Sequence, residues 1–250
     1  MESLSHEKRI YGLVGHNIEY SFSRDYFRNK FASLNLEHFE YRNFDIENLQ
    51  GLDRIFQTDA LRGLNVTIPF KESILPYLES LSGKAAAIGA VNTIRLMPDG
   101  SKKGYNTDWF GFKKAIEPLL LPHHKKALVL GSGGSSKAVV FALERLGIAA
   151  TVVSREEKPG TIDYNRINET TFDNYQIVVN CTPLGTFPNI QDCPPLPYQH
   201  FSDKHIAFDL VYNPSETQFL KRAKQHGAAT TNGYAMLVNQ AEKAWEIWNR

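Results

Sequence analysis

Short apolar, β-branched runs alternate with longer amphipathic ones along the first hundred residues. Residues 10–14, 39–44 and 61–67 read as strands, and 26–34 and 48–55 carry apolar positions at helical spacing. This β-α-β-α-β rhythm predicts a mainly parallel sheet covered by helices. Residues 90–96 and 101–105 flank Pro98-Asp99-Gly100, a turn sequence that predicts a hairpin. Residues 107–116 look helical, and Pro118, Pro122 and the polar His123-His124-Lys125-Lys126 mark a crossing between domains over 108–126. The pattern then restarts with a buried strand at 127–130, a glycine turn, a helix over 136–146 and a strand at 149–153. With further strand-like runs at 176–180 and 205–210, this half predicts a Rossmann-type unit. Residues 183–197 hold five prolines and little periodicity directly after a strand, which suggests a lid. The last segment sets Leu237, Ala241, Ala244 and Trp248 on one helical face, with Gln240 between them.

Composition narrows the function. With 42% hydrophobic positions in 250 residues the chain can bury a substantial core. Twenty-eight Lys and Arg against 27 Asp and Glu leave a net charge of +1, too little to hold a nucleic acid or an anionic membrane. The opening MESLSHEKR lacks an apolar stretch, and the longest apolar run spans only residues 138–143. A soluble, cytoplasmic protein with a small-molecule partner is expected, as a monomer or homodimer. Cys181 and Cys193 lie in no metal-ligand spacing, so neither a zinc site nor a disulfide framework is expected.

Gly131-Ser132-Gly133-Gly134-Ser135-Ser136 lies between an apolar strand and a helix. Gly131 permits a tight turn, Gly133 lets backbone approach a pyrophosphate, and the helix N-terminus offers free N–H groups to the anion. A purely structural glycine turn is the competing account, and the third fingerprint position is Ser136 rather than Gly. Ser154-Arg155 ends the second strand of this half, where an NAD-specific protein usually carries an acid; Arg155 suggests a 2′-phosphate instead. Lys158 adds to that charge, and Glu156 and Glu157 oppose it.

In the first half, Asn65-Val-Thr67-Ile-Pro69-Phe70-Lys71-Glu72 reads as a strand end followed by a helix opening at Pro69. Lys71 would then sit in the positive first turn, an unfavourable placement that hints at function. Asn92 and Asp108 are its candidate company. Each has a bland account as well: Lys71 as a solvated side chain, Asp108 as part of a helix cap, Ser21 and Ser23 as the cap of a helix starting near Ser23. Gln240 on an apolar stripe needs a hydrogen-bonding partner.

Taken together and in order, several motifs resemble those of the shikimate/quinate dehydrogenase family, oxidoreductases that reduce 3-dehydroshikimate. They are Tyr20-Ser-Phe-Ser23, Asn65-Val-Thr-Ile-Pro-Phe-Lys-Glu72, Gly89-Ala-Val-Asn-Thr93, Gly104-Tyr-Asn-Thr-Asp108, Gly131-Ser-Gly-Gly134, Asn180-Cys-Thr-Pro-Leu-Gly185, Asp209-Leu-Val-Tyr-Asn-Pro214 and Gly233-Tyr-Ala-Met-Leu-Val-Asn-Gln240. The resemblance implies an α/β protein of two domains. One, spanning 1–107 and joined by the C-terminal helix 236–250, binds substrate and carries catalysis; the other, 108–235, is a Rossmann-type dinucleotide-binding domain. It further implies Lys71 and Asp108 as the catalytic pair, and Ser21, Ser23, Thr67, Lys71, Asn92, Asp108, Tyr212 and Gln240 as substrate contacts. Gly131, Ser132, Gly133, Gly134, Ser135, Ser154, Arg155, Thr182 and Gly233 would meet the cofactor, NADP with NAD as the alternative. The implied activity is NADP-dependent reduction of 3-dehydroshikimate to shikimate in chorismate and aromatic amino-acid biosynthesis. Alternatives are a quinate/shikimate dehydrogenase using either cofactor, and a dinucleotide-binding sensor without turnover. The first loop departs from the family pattern: it reads Gly15-His16-Asn17-Ile18-Glu19 where Asn-Pro usually follows the glycine, Tyr20 replaces a histidine, and Arg24 stands where proline is common.

Overall fold

The computed structural model describes residues 7–19, 21–156 and 159–250; the N-terminal hexapeptide, Tyr20, Glu157 and Lys158 lie outside the described residues. The chain divides into two compact units, one running up to Thr107 and taking in Ala241–Arg250, the other Asp108–Gln240.

In the first unit, β1 (Arg9–Gly15), β2 (Phe39–Asp45) and β3 (Leu61–Val66) are parallel, with α1 (Phe22–Ser33) and α2 (Leu52–Phe56) in the crossovers. After β4 (Ser80–Leu81) and α3 (Gly83–Ile88) come β5 (Thr93–Leu96) and β6 (Lys102–Tyr105), the expected antiparallel hairpin. Its turn closes through Met97 N–H to the Ser101 carbonyl at 2.8 Å, with Gly100 at φ +83°. The sheet order is β2-β1-β3-β5-β6-β4, parallel on one side and mixed on the other.

β1 is almost wholly buried along its length, as a central strand covered on both faces must be. One face carries Ile10 and Val14 into a cluster with Leu52, Leu64 and Ile94. Its other face carries Tyr11 and Leu13 into an aromatic cluster with Phe27, Phe31 and Trp248. Tyr11 stacks on Trp248 at 4.8 Å between ring centroids, and the Trp248 indole N–H donates to the Ile94 carbonyl at 2.9 Å. The tryptophan lies over Gly63, where a Cβ would come within 2.2 Å of the indole.

The segment after β3 differs from the helix expected at Pro69. Phe70 N–H donates to the Thr67 carbonyl (2.9 Å), Ile74 N–H to Phe70 (3.0 Å) and Leu75 N–H to Glu72 (3.2 Å), a series of turns that ends in a 3₁₀ turn at Leu75–Tyr77. The carbonyl of Lys71, which a helix would give to Leu75, instead accepts the Val91 N–H at 2.7 Å. A long-range backbone bond has thus replaced a local one, and the helix-dipole argument for Lys71 falls away.

The second unit begins with α4 (Asp108–Ile116), so the expected crossing over 108–126 is largely a helix, packed into the core through Phe112 and Ile116. Then follow β7 (Lys126–Leu130), α5 (Gly134–Arg145), β8 (Ala149–Val153), β9 (Thr161–Ile162), α6 (Glu169–Asn174), β10 (Ile177–Asn180), β11 (Ile206–Asp209), α7 (Gln218–Gln225), β12 (Ala229–Thr231) and α8 (Tyr234–Trp248). All six strands are parallel in the order β12-β11-β10-β7-β8-β9. Alternate residues of β7 face opposite sides: Leu128 and Leu130 meet Phe172 and Phe219, whereas Ala127 and Val129 meet Val139, Leu143 and Phe112.

The proline-rich stretch over 183–197 is irregular but is no free lid along its whole length. Leu196 and Tyr198 are buried in the core, and the Tyr198 hydroxyl donates to the Pro194 carbonyl at 2.9 Å. Only its first part carries exposed apolar side chains, Phe187 and Ile190.

Candidate active site

In the first unit, Ser21, Thr67 and Asn92 come from one edge of the sheet, where β1 and β3 end and β5 begins. Backbone bonds draw the loops together. Thr67 N–H donates to the Val14 carbonyl (2.9 Å), His16 N–H to Ile68 (3.2 Å), Val66 N–H to Asn92 (2.9 Å) and Asn92 N–H to Tyr105 (3.1 Å). The Val91 to Lys71 bond fixes the backbone of Lys71 to the same edge, with its side chain half-buried.

A polar network lies beneath. The Tyr41 hydroxyl donates to Asn65 Oδ1 at 2.8 Å close to Ser23, and burial pushes the Tyr41 pKa up. Asn65 Nδ2 donates to the Asn92 carbonyl (3.2 Å) and to Thr93 Oγ1 (3.3 Å). Asn92 in turn accepts the Thr107 backbone N–H on Oδ1 at 2.7 Å and donates from Nδ2 to Thr107 Oγ1 at 3.0 Å. All of these residues are buried. Buried polar groups in such number are tolerated only when paired, and paired they hold one geometry. Ser21 occupies the N-cap position of α1 yet makes no capping bond through its side chain, so the capping account expected for it does not hold.

Asp108 opens α4 and is buried. Gln240 is also buried, and its helix α8 meets α4 at Gly111, where a Cβ would lie 3.1 Å from that of Gln240.

At the carboxyl edge of the second sheet, Gly131 takes φ +102° and opens the turn into α5. Around Gly133 a Cβ would meet nothing within 4 Å, so no packing within the protein demands this glycine. Ser132 and Gly133 are exposed, and Gly134 and Ser135 begin the helix. Ser136, at the third fingerprint position, is buried and donates to the Gly133 carbonyl at 2.6 Å, closing the turn from within. Ser154 is buried at the end of β8, its hydroxyl accepting the Glu156 N–H at 3.3 Å, and Arg155 projects into solvent. The positive charge of Arg155 lies near the half-buried Tyr164, whose pKa burial raises to about 12 against the opposing pull of the arginine. An open glycine turn, a three-turn helix N-terminus and an exposed arginine after β8 fit the pyrophosphate and ribose end of a dinucleotide.

Thr182 and Gly233 have structural partners as well. Thr182 donates through its hydroxyl to Asn180 Oδ1 at 2.6 Å, and a Cβ on Gly233 would lie 2.1 Å from the Leu210 carbonyl oxygen. Tyr212 is half-buried in the loop after β11.

Two residues were not singled out by sequence reasoning. Asp209, fully buried at the end of β11, accepts from Asn180 Nδ2 (3.0 Å), Val211 N–H (3.0 Å) and Thr217 Oγ1 (2.5 Å); burial raises its pKa to about 6. An acid closing an apolar strand, with Thr217 at the following helix cap, was the available signal. Asp45 is the other, and no local pattern marks it.

A sequence profile for the shikimate dehydrogenase substrate binding domain matches residues 13–94. A shikimate dehydrogenase (NADP(+)) of Methanosphaera stadtmanae is 38% identical over 258 residues, covering 96% of this chain and 90% of that protein. Among solved structures, shikimate 5-dehydrogenase from Thermus thermophilus in complex with NADP(H) and shikimate superposes with a TM-score of 0.85 at 32% identity, covering 96% of this chain and 93% of that one. Quinate dehydrogenase from Corynebacterium glutamicum, in complex with NAD, superposes with a TM-score of 0.84 at 26% identity, covering 96% and 93%. The chain belongs to the shikimate dehydrogenase family.

Proposed function

We propose that this protein is an NADP-dependent shikimate dehydrogenase, which interconverts 3-dehydroshikimate and shikimate. The observation that carries the reading is the near full-length likeness to NADP-dependent shikimate dehydrogenases, joined to a glycine turn at Gly131–Gly134 that is open to a ligand. In this assignment residues 1–107 with helix 236–250 hold the substrate and 108–235 hold the dinucleotide. Gly131, Ser132, Gly133, Gly134 and Ser135 cradle the pyrophosphate, and Ser154 and Arg155 take the 2′-phosphate; Thr182 and Gly233 border the nicotinamide end. When bound, NADP supplies the hydride acceptor or donor.

The chain's own residues manage charge and protons. As a ketone becomes an alcohol, negative charge grows on its oxygen, and the Lys71 ammonium stabilises and protonates that atom. Asp108 accepts from the ammonium or from a substrate hydroxyl, keeping the donor aimed. Ser21, Ser23, Thr67, Asn92, Tyr212 and Gln240 orient the carboxylate and hydroxyls of the ring. A cyclohexane ring bearing several hydroxyls suits such a set, because a site built to bond hydroxyls discriminates strongly against analogues that lack them. The protein works as a soluble, cytoplasmic monomer or homodimer; among the described residues, no helix is long and apolar enough to cross a membrane.

A panel of shikimate and quinate, each with NADP⁺ and NAD⁺, followed at the nicotinamide absorbance band, tests the assignment. The highest kcat/KM is expected for shikimate with NADP⁺. Turnover of quinate at a comparable kcat/KM would favour the broader quinate/shikimate activity, and no turnover of either would leave a dinucleotide-binding sensor.

A further inference from the structure

The loop from β1 to α1 presents Ser21, and it departs from the family pattern. Where proline usually stands two residues after the glycine, this chain has Asn17 at φ +56°, a left-handed conformation closed to proline. Proline would stiffen such a loop by fixing φ and would bring no N–H to satisfy. Here the N–H groups of Asn17 and Ile18 both need acceptors, and one side chain supplies them. Asp45, the last residue of β2, accepts Asn17 N–H on Oδ1 at 3.0 Å and Ile18 N–H on Oδ2 at 2.9 Å.

The same peptide is held from its other end. Asn43, also on β2, donates from Nδ2 to the Ile18 carbonyl at 2.8 Å, and that carbonyl accepts the Ser21 N–H at 3.1 Å. Ile18 buries its side chain in the aromatic cluster beneath the loop and packs so close to Gly15 that a Cβ there would lie 2.6 Å from Ile18 Cγ2. Ile46 N–H donates to the Gly15 carbonyl at 3.0 Å, which ties the base of the loop to the residue after Asp45.

We propose that Asp45, supported by Asn43, is the positioning residue of the substrate carboxylate site: by chelating two consecutive backbone N–H groups it sets the loop conformation that aims Ser21, in place of the usual proline. This rests on the reading of Ser21 as a substrate contact. Asp45 touches no reacting atom, so its contribution passes through the loop and belongs to substrate binding. Cofactor binding is assigned to the other unit.

The test is a double-mutant cycle with S21A and D45A, together with D45N, reading KM for shikimate, KM for NADP⁺ and the melting temperature. D45A is expected to raise KM for shikimate about five- to tenfold, the loss of one exposed and one part-buried bond to a carboxylate acceptor, and to move KM for NADP⁺ by less than about twofold. D45N, which keeps one amide oxygen as acceptor, should restore about half of that change on a logarithmic scale. In the S21A background D45A should add less than about twofold, because the two residues act through one contact. An equal effect of D45A with and without S21A, or no effect on shikimate in a variant of unchanged melting temperature, overturns the positioning role. If S21A itself leaves shikimate KM unchanged while the wild type turns shikimate over, the reading of Ser21 fails and the inference falls with it. Absence of shikimate turnover in the wild type identifies failure of the activity assignment instead.

Discussion

Asn92 accepts the backbone N–H of Thr107 on its side-chain oxygen at 2.7 Å, and Thr107 is the residue immediately before Asp108. The side chain of an assigned substrate contact thus also holds the chain that leads into α4. Asn92→Ala would leave the buried Thr107 N–H without this acceptor, at a cost of about 1–3 kcal/mol. Urea denaturation should show a lower midpoint at unchanged slope, and kcat/KM for shikimate should fall more than stability alone explains. An unchanged midpoint would mean that the network carries no stability.

Lys71→Ala is expected to lower kcat about 10²- to 10⁴-fold while leaving shikimate affinity comparatively intact, since charge on the ketone oxygen develops mainly in the transition state. Steady-state kinetics, with shikimate binding measured separately by calorimetry, separates the two quantities. Near wild-type turnover would remove Lys71 from the mechanism.

Arg155 is exposed after β8, and a 2′-phosphate there would gain charge-assisted bonds. Arg155→Ala should weaken NADP⁺ about 10- to 100-fold and NAD⁺ far less, from roughly 1.5–3 kcal/mol per charged bond. The exposed Glu156 beside it works in the opposite direction, so the size of the effect measures which charge dominates. Equal weakening of both cofactors would point to a fold defect, and a higher kcat/KM with NAD⁺ in the wild type would overturn the cofactor assignment.

Elements whose signal is local were readable from the chain. The central strands follow the apolar runs, the hairpin follows Pro98-Asp99-Gly100, and the Gly131 turn follows its glycines. What could not be read depends on partners far away in sequence. The helix expected at Pro69 is absent because Lys71 gives its carbonyl to Val91. Asp45 acts on Ile18, 27 residues earlier, and Asn65 on Thr93, 28 residues later, so no spacing rule marks either pair. In the same way Leu196 looks like part of a lid until the core that buries it is assembled.

Gly63 shows how close packing constrains one backbone position. A methyl group there would lie 2.2 Å from the indole nitrogen of Trp248, a buried ring stacked on Tyr11 and bonded to Ile94, so the ring has little room to move aside. Gly63→Ala should destabilise the protein by about 1–3 kcal/mol, in the range of overpacked cores. Gly51→Ala is the control, because a Cβ there meets nothing within 4 Å. Calorimetric melting should separate the two, with a blue-shifted or red-shifted tryptophan emission in the first only. Equal melting temperatures would show that the Trp248 contact is softer than its geometry implies.

Acid should destabilise the second unit through two histidines. His124 Nδ1 accepts the Leu121 N–H at 2.8 Å and His205 Nδ1 accepts the Ser202 N–H at 3.0 Å, while Nε2 of each lies 3.1 Å from a backbone carbonyl. Both rings are buried, and burial lowers both pKa values below 6.5. A proton on Nδ1 would remove the acceptor from each backbone N–H, so the folded state prefers the neutral rings. The unfolded chain takes up these protons as the pH falls through 6.5 before the folded one does, so their stabilisation is complete above that pH and is lost as it falls towards the lower folded values. Asp209 acts with the opposite sign. Its folded pKa of about 6 lies above the unfolded 3.8, so its contribution rises as the pH falls between these values. The two effects are separable by mutation: Asp209→Asn should make the loss of melting temperature between pH 6.5 and 5 steeper, and His205→Gln should make it shallower. Identical slopes in wild type and both variants would show that neither group governs acid stability.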